Sequence, residues 1–225
     1  MTDLRPAAGA RSPGEPDQPL NPWLEDRLWA LGPAGLVLDL GCGRGYWLER
    51  MVAKGLQPVG VEYDEARTAL AARHAPVVVS DATRLPLDAG SVGLVWCIHV
   101  LHHLHEPAAV LEEIRRVLKP GGHLILAETV EDNPIVRVGR NLWPHWDGVD
   151  VHARFTASSL LSMLRAAGLV VVDHRQHGLV SFAVWASPVG ARLGWNALSR
   201  LEGMLPAAVN RWGAHLECVA RAPAP

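Results

Sequence analysis

The sequence contains little cysteine: its 225 residues include three, Cys42, Cys97 and Cys218, which lie far apart along the chain. An odd number of widely spaced cysteines is a poor basis for a disulfide framework. None of the three has a second cysteine nearby in sequence, as a zinc ribbon would require. We therefore expect free thiols and a reducing compartment, the cytoplasm.

Long apolar runs are also missing, because charge, glycine or proline interrupts each run well before the about 18 residues that a membrane span needs. The N-terminal stretch, residues 1–21, carries Asp3, Glu15 and Asp17 and has no apolar core, so it does not resemble a secretory signal peptide. It is rich in proline, alanine and glycine without periodicity. We predict a disordered tail over residues 1–21 and a single domain over residues 22–225.

No strong charge of one sign is present, since 21 basic residues and 23 acidic residues are scattered along the chain and leave a formal net charge of −2. Nucleic-acid phosphates attract proteins through concentrated positive charge. A nucleic-acid partner is therefore disfavoured, and we expect a small-molecule substrate. The sequence leaves the oligomeric state open, with a homodimer as one possibility.

Short runs rich in β-branched residues alternate with helical stretches along the chain, which predicts right-handed crossovers and a parallel sheet covered on both faces. The expected strands are Leu36–Leu40, Pro58–Glu62, Val77–Ser80, Val92–Cys97, His123–Ala127, Leu169–Asp173 and His215–Ala220. The expected helices start near Trp23, Arg44, Asp64, Pro107 and Thr156. Because Leu36 to Leu38 and Val77 to Val79 are continuously apolar, we expect both strands to be buried on both faces.

A glycine loop follows the first of these strands, in the order Asp39-Leu-Gly41-Cys42-Gly43-Arg-Gly45. Glycines allow tight turns with positive φ and let a ligand approach the backbone at the start of the next helix. The spacing is GxGxG, which lacks the third glycine of the GxGxxG dinucleotide fingerprint. A strand-to-helix turn that merely needs glycine is the alternative interpretation.

This segment resembles the first motif of the class I S-adenosylmethionine-dependent methyltransferases, and the likeness is dense over roughly residues 35–128. It includes the pattern Val100-Leu-His102-His103-Leu. Within this class, the sequence resembles the small-molecule methyltransferases of the ubiquinone and menaquinone biosynthesis type. The resemblance implies a Rossmann-like sheet of seven mostly parallel strands, with helices on both faces and a helical cover. It also implies that Asp39 and the loop hold the methionine end of S-adenosylmethionine, through Gly41, Cys42, Gly43 and Gly45.

Acidic residues at the ends of the next strands complete the predicted cofactor site. Glu62 lies about 20 residues beyond the loop, where a carboxylate can accept both hydroxyl hydrogens of a ribose; a solvated strand-end acid is the alternative. By resemblance, Asp81 meets the adenine amino group and the Ala82 amide faces the ring edge. Tyr63 and Cys97 are the remaining candidate cofactor-binding residues.

Four histidines, at positions 99, 102, 103 and 105, follow the fourth strand. Imidazole is a common metal ligand, but no metal-site spacing such as HExxH occurs and the family pattern already includes His102 and His103, so we predict no metal site. The loop leaves the carboxyl end of a central strand, where open α/β sheets bind ligands. His102 is therefore the candidate general base, with loop packing as an equally good alternative.

Two apolar stretches, residues 129–152 and 179–205, are expected to cover the acceptor, since long loops in compact domains tend to be functional. Their aromatic residues are Trp143, Trp146, Phe182, Trp185 and Trp195, and Arg137, Arg140 and His145 lie beside the first pair. A short surface helix with packed tryptophans is the alternative. The acceptor is thus predicted to be an apolar or aromatic small molecule.

The predicted function is transfer of a methyl group from S-adenosylmethionine to such an acceptor. An NAD-dependent oxidoreductase would use a similar loop, but the two tyrosines, Tyr46 and Tyr63, lack the lysine four residues later that a Tyr-x-x-x-Lys pair requires. A non-catalytic cofactor-binding module is the third possibility. The acceptor and the atom that is methylated are not identified by the sequence, because one fold serves many chemistries.

Overall fold

The protein is described by a computed structural model that covers residues 22–32, 35–142, 151–179, 202 and 204–224. In chain order the elements are α1 (Pro22–Leu31), β1 (Leu36–Leu40), α2 (Tyr46–Ala53), β2 (Gln57–Glu62), α3 (Glu65–Ala71), β3 (Val77–Val79), β4 (Val92–Ile98), a 3-10 turn (Leu101–His103), α4 (Pro107–Val117), β5 (Leu118–Thr129), α5 (Pro134–Leu142), α6 (Ala157–Ala166), β6 (Val170–His177), α7 (Ala207–Asn210) and β7 (His215–Arg221).

The seven strands form one sheet in the order β3-β2-β1-β4-β5-β7-β6. The first five strands pair in parallel, whereas β7 runs antiparallel to both β5 and β6. The order reverses between β1 and β4, which is the crevice where open α/β sheets bind ligands. The predicted strands all exist, and the sheet is mostly parallel as expected.

Two apolar layers cover the two faces of this sheet. On one face, α1 and α2 bury side chains against the sheet, and Trp96 of β4 is fully buried there. On the other face, α4 and α6 pack against the alternate residues of β4, β5 and β7. Since successive side chains of a strand point to opposite faces, the central strands are apolar throughout.

Helix termini agree with the sequence signals. Asp64 accepts the Arg67 amide as the cap of α3, and Thr156 forms a reciprocal capping box with Ser159 at the start of α6. These contacts satisfy amides that have no partner within the helix.

Strand β3 differs from the expectation. The run Val77 to Val79 was predicted to be buried on both faces, but β3 is an edge strand. Val78 and Val79 are 38% and 47% exposed. The prediction was wrong because an apolar run shows only that a strand can be buried. The position of the strand in the sheet decides whether other elements cover it.

The fifth strand also starts earlier than the sequence suggested. Its expected start was His123; in the structure α4 ends at Val117 and β5 begins directly at Leu118. Residues 119–122 interrupt the regular pairing of the two strands. Val92 pairs with Leu118, but the next pair is Leu94 with His123. β5 therefore contains an irregularity over residues 119–122, and its pairing with β4 is present on both sides of it.

The expected acceptor cover lies partly outside the described residues. Trp143, His145, Trp146, Phe182, Trp185 and Trp195 all fall there, so the tryptophan cover stays a prediction. The described part of the first stretch contains α5, whose Val136 is fully buried and whose Val138 is 54% exposed. Within the described ranges, no helix is long and apolar enough to cross a bilayer.

Candidate active site

The glycine loop joins β1 to α2 and is held down onto the end of β2. The Gly41 and Cys42 amides both donate to the Val61 carbonyl, at 2.8 and 3.1 Å, and the Gly43 amide donates to Glu62 Oε2 at 2.8 Å. The loop backbone is thus fixed by its neighbouring strand.

The three glycines of the loop have positive φ, but they are required for different reasons. A Cβ at Gly41 would come within 2.5 Å of the Val100 side chain, and one at Gly45 within 2.8 Å of the Ala71 backbone. These two positions are explained by packing. A Cβ at Gly43, with φ of +56°, would meet nothing within 4 Å. The space beside Gly43 is therefore open, as a cofactor cradle requires.

Asp39 lies at the bottom of this cradle and is 3% exposed. Its Oδ2 is buried, and no donor in the described part of the chain contacts it. A buried carboxylate oxygen without a partner is costly. A ligand ammonium would supply the missing donor, so Asp39 fits the methionine end of the expected cofactor.

The charge state of Asp39 is set by the same environment. Burial raises the pKa of the Asp39 carboxyl to about 8, and the charge of Glu62 adds to the shift. Burial also raises the pKa of the Cys42 thiol to about 12, with contributions from both carboxylates. A bound cation would favour the ionised form of Asp39.

This environment makes a testable prediction for stability. An acid whose pKa is higher in the folded than in the unfolded state binds more protons when folded, so its contribution to the free energy of unfolding falls as pH rises from 3.8 toward about 8. Within that window the fall approaches about 1.4 kcal/mol per pH unit. Asp39→Asn should remove this fall, and urea unfolding of the cofactor-free protein between about pH 5 and pH 7.5 measures it. Parallel pH curves for variant and wild type would contradict the assignment.

The Glu62 carboxylate contacts more of the chain than expected. Its Oε2 accepts the Gly43 amide, and its Oε1 accepts the amides of Tyr63 and Asp64 at 3.0 Å each. Glu62 thus fixes the loop and its own turn, and Oε2 keeps acceptor capacity for a ribose hydroxyl. The sequence suggested the ribose role but contained no sign of the loop contact.

The remaining predicted cofactor residues lie at the same edge of the sheet, with different surroundings. Tyr63 is 80% exposed, and Ala82 is 9% exposed. Asp81 Oδ1 accepts the Thr83 amide at 2.8 Å, which fixes its turn. Cys97 is fully buried in the core on the α4 side, so its side chain does not line the cradle and any cofactor contact would use its backbone.

A second group of polar residues lies at the carboxyl ends of β4 and β5. His102 Nδ1 is 2.6 Å from Glu128 Oε2. Glu128 Oε1 accepts the amides of Val100 and Leu101, at 2.9 and 2.6 Å. Because an ionised carboxylate can only accept, this contact favours the tautomer with the proton on Nδ1, in which Nε2 carries the lone pair. Glu128 therefore orients His102 in the way that a general base requires.

The loop that carries His102 is also held from the other side. The His102 carbonyl accepts the amides of His152 and Ala153, at 2.8 and 3.1 Å, and the His102 side chain is 8% exposed. Burial by itself would raise the pKa of Glu128, but His102 and His99 with the Leu101 amide outweigh it, so the net shift is downward. Glu128 is thus a buried carboxylate that stays ionised.

Sequence reasoning identified His102 but missed Glu128. The signal was present, since Glu128 directly follows the strand predicted over His123–Ala127, near the carboxyl end of β5, much as Glu62 stands at the end of β2. Of the other histidines, His103 packs against His102 with ring centroids 3.8 Å apart, and His105 packs against His152 at 3.9 Å. Arg137, expected to help cover the acceptor, donates to the Glu131 carbonyl at 3.3 to 3.4 Å.

Known proteins match the part of the chain that builds this site. A family model described as "Methyltransferase domain" matches residues 38–126. The ubiquinone biosynthesis O-methyltransferase of Acinetobacter baumannii strain ACICU is 32% identical over 122 residues, covering 50% of each chain. That of Marinobacter nauticus is 32% identical over 108 residues, covering 44% of this chain and 45% of the relative. The chain thus spans about half the length of the curated relatives it matches.

Solved structures extend the likeness to nearly the whole fold. The cyclase SpnF is 26% identical, with a TM-score of 0.62, and the match covers 89% of this chain and 81% of that one. An S-adenosylmethionine-dependent methyltransferase from Mesorhizobium loti shares the fold at 21% identity, with a TM-score of 0.64 and coverage of 89% and 96%. The expected Rossmann-like seven-stranded fold is confirmed.

Proposed function

We propose that this protein transfers a methyl group from S-adenosylmethionine to a hydroxyl oxygen of an apolar or aromatic small molecule. The methyltransferase family model that matches residues 38–126 supports this proposal. The observation that carries the proposal is the buried, unpartnered Oδ2 of Asp39 beside the open space at Gly43. A cationic ligand with a slender backbone matches both features.

The cofactor would be held by residues from the ends of three neighbouring strands. Asp39 would accept a hydrogen bond from the ammonium group and Glu62 one from a ribose hydroxyl, while Asp81 and the Ala82 amide would contact the adenine ring. When bound, S-adenosylmethionine would supply a methyl group on a positively charged sulfur. An acceptor atom can bond to that methyl carbon while the sulfur leaves with the electrons of the broken bond. The chain itself then contributes positioning and the exclusion of water.

His102 is the proposed general base, and Glu128 its positioning residue. His102 Nε2 takes the proton of the acceptor hydroxyl, while the Glu128 contact to Nδ1 stabilises the imidazolium that forms. His102 lies in the 3-10 turn after β4 and Glu128 lies on β5. Since β4 pairs with β1, the acceptor would bind beside the cofactor along the same edge of the sheet.

This dyad is the reason to favour an oxygen acceptor. A neutral amine can attack without first losing a proton, whereas a hydroxyl gains from an oriented base. The O-methyltransferases among the relatives are consistent with that choice. We further propose a cytoplasmic location, supported by the buried free thiols of Cys42, Cys97 and Cys218.

Two measurements test this function. Calorimetry should detect S-adenosylmethionine or S-adenosylhomocysteine binding and no binding of NAD. Methyl-labelled cofactor, incubated with the protein and an extract of the source organism, should yield a labelled small molecule carrying a methoxy group. NAD binding without a response to S-adenosylhomocysteine would refute the cofactor. Cofactor binding without any labelled product would favour a non-catalytic module.

A further inference from the structure

Three potential metal ligands meet at the carboxyl ends of β4 and β5. One ring nitrogen of His99, one of His102 and a carboxylate oxygen of Glu128 all lie within 4.8 Å of one another. We propose that these three residues form a binding site for a divalent transition metal ion such as zinc, and that the bound ion inhibits methyl transfer. The inhibitory role rests on the proposed function, since it acts on the base of that reaction.

The donor set suits a transition ion. Two imidazoles and one carboxylate are a common zinc ligand set, which leaves a fourth position for water or another group. In a tetrahedral zinc site with bonds of about 2.1 Å, neighbouring ligand atoms are about 3.4 Å apart. The three side chains therefore need only small rotations to close on an ion. Magnesium prefers oxygen ligands and a full octahedron, so it should not bind here.

The charged groups around Glu128 also favour a bound cation. Glu217, also buried, is paired with Arg175 at 2.7 Å and with His177 at 2.9 Å. Glu128 is fully buried as well, but its contacts are two backbone amides and His102, and no lysine or arginine reaches it among the described residues. A divalent cation would supply the compensation that Arg175 gives to Glu217.

The backbone at His99 is the second sign that this cluster is built. His99 has a φ of 56°, the one positive value at a residue other than glycine in the part of the chain that the structure describes. Such a conformation is strained for a residue that has a Cβ, and it persists where the surrounding structure imposes it. It places the His99 ring 6.2 Å from that of His102, between centroids, instead of continuing the strand.

A bound ion would disable the base whichever nitrogen of His102 it takes. At Nε2 the ion occupies the lone pair that accepts the acceptor proton. At Nδ1 it replaces the proton through which Glu128 orients the ring. Because only deprotonated ligands bind metal, the ion competes with protons at the same imidazole. Inhibition should therefore depend on zinc concentration and be reversed by a chelator.

Zinc chloride titrated into the full-length protein by calorimetry tests the site directly. Wild type should bind one equivalent that His99→Asn weakens by at least about tenfold, since even indirect partners of metal ligands contribute that much. Asparagine tolerates positive φ, so the backbone is kept. His99→Gly is the second variant if the first does not fold, and His174→Asn, an exposed histidine on β6, is the matched control. Magnesium chloride should give no heat of binding.

The inhibitory role is measured against each variant's own zinc-free rate of methyl transfer. The zinc concentration that halves the rate should rise at least about tenfold in His99→Asn and stay unchanged in His174→Asn. Absence of a zinc equivalent in wild type, or unchanged affinity in both His99 variants, would overturn the site. Zinc that binds without inhibiting would overturn its role. Failure of the methyltransferase assay itself would leave the calorimetric result standing, so the two proposals fail separately.

Discussion

His102→Asn is expected to lower kcat for methyl transfer by about 10²–10⁴-fold, the contribution typical of a positioned general base. Asparagine places an amide N–H where His102 Nδ1 contacts Glu128, at 2.6 Å in the wild type, so the buried carboxylate keeps a donor. What is lost is the Nε2 lone pair. The rate is measured with the acceptor identified from the labelled extract.

The matched control is His105→Asn, in the same loop but exposed, with its ring packed against that of His152. It should leave kcat within about twofold, in line with the small effects of most surface substitutions. Affinity for S-adenosylhomocysteine should be unchanged in both variants, because neither residue belongs to the cofactor cradle. Full activity of His102→Asn would show that the acceptor needs no base, as a neutral amine would not.

The second large effect is expected at the glycine loop: Gly43→Val should abolish detectable binding of S-adenosylmethionine, a loss of at least about 100-fold. The new side chain would project into the open space beside Gly43, which is the space that the cofactor is proposed to fill. Valine at φ of +56° is also strained, at a cost of about 1–2 kcal/mol or more.

Gly90→Val separates strain from obstruction. Gly90 has a φ of +66° and, like Gly43, a Cβ there would meet nothing within 4 Å, but it lies in the turn before β4, outside the cradle. Both variants should lose comparable stability in urea unfolding, and calorimetry should show that Gly43→Val alone loses the cofactor. If both variants fold and bind the cofactor with equal affinity, the loop only connects β1 to α2 and does not bind the cofactor.

The cofactor side of the site was predictable because its signals are local. Asp39, the loop glycines and Glu62 each stand at the end of a strand that the apolar pattern already marks, and the structure places them together around Gly43. What the spacing did not reveal is that Gly41 and Gly45 are glycines for packing against Val100 and Ala71. Those neighbours are distant in sequence.

The acceptor side was less predictable, because its key contact joins two elements. The sequence indicated His102 as the candidate base but gave no partner for it, and that partner, Glu128, lies 26 residues further along the chain. Only the parallel pairing of β4 with β5 brings the two strand ends together. The same pairing makes a metal cluster of His99, His102 and Glu128, which histidine spacing alone did not predict.

The sequence by itself therefore determined the strands, the helix caps and the strand-loop-helix cradle, since periodicity, capping residues and glycines act within a few residues of one another. The tertiary structure alone decided which strand lies at the exposed edge, which carboxylate orients His102 and which glycine faces open space. The physical reason is that burial, pairing and charge compensation depend on neighbours brought together by the sheet order, and a strand's sequence is the same at the centre of a sheet as at its edge.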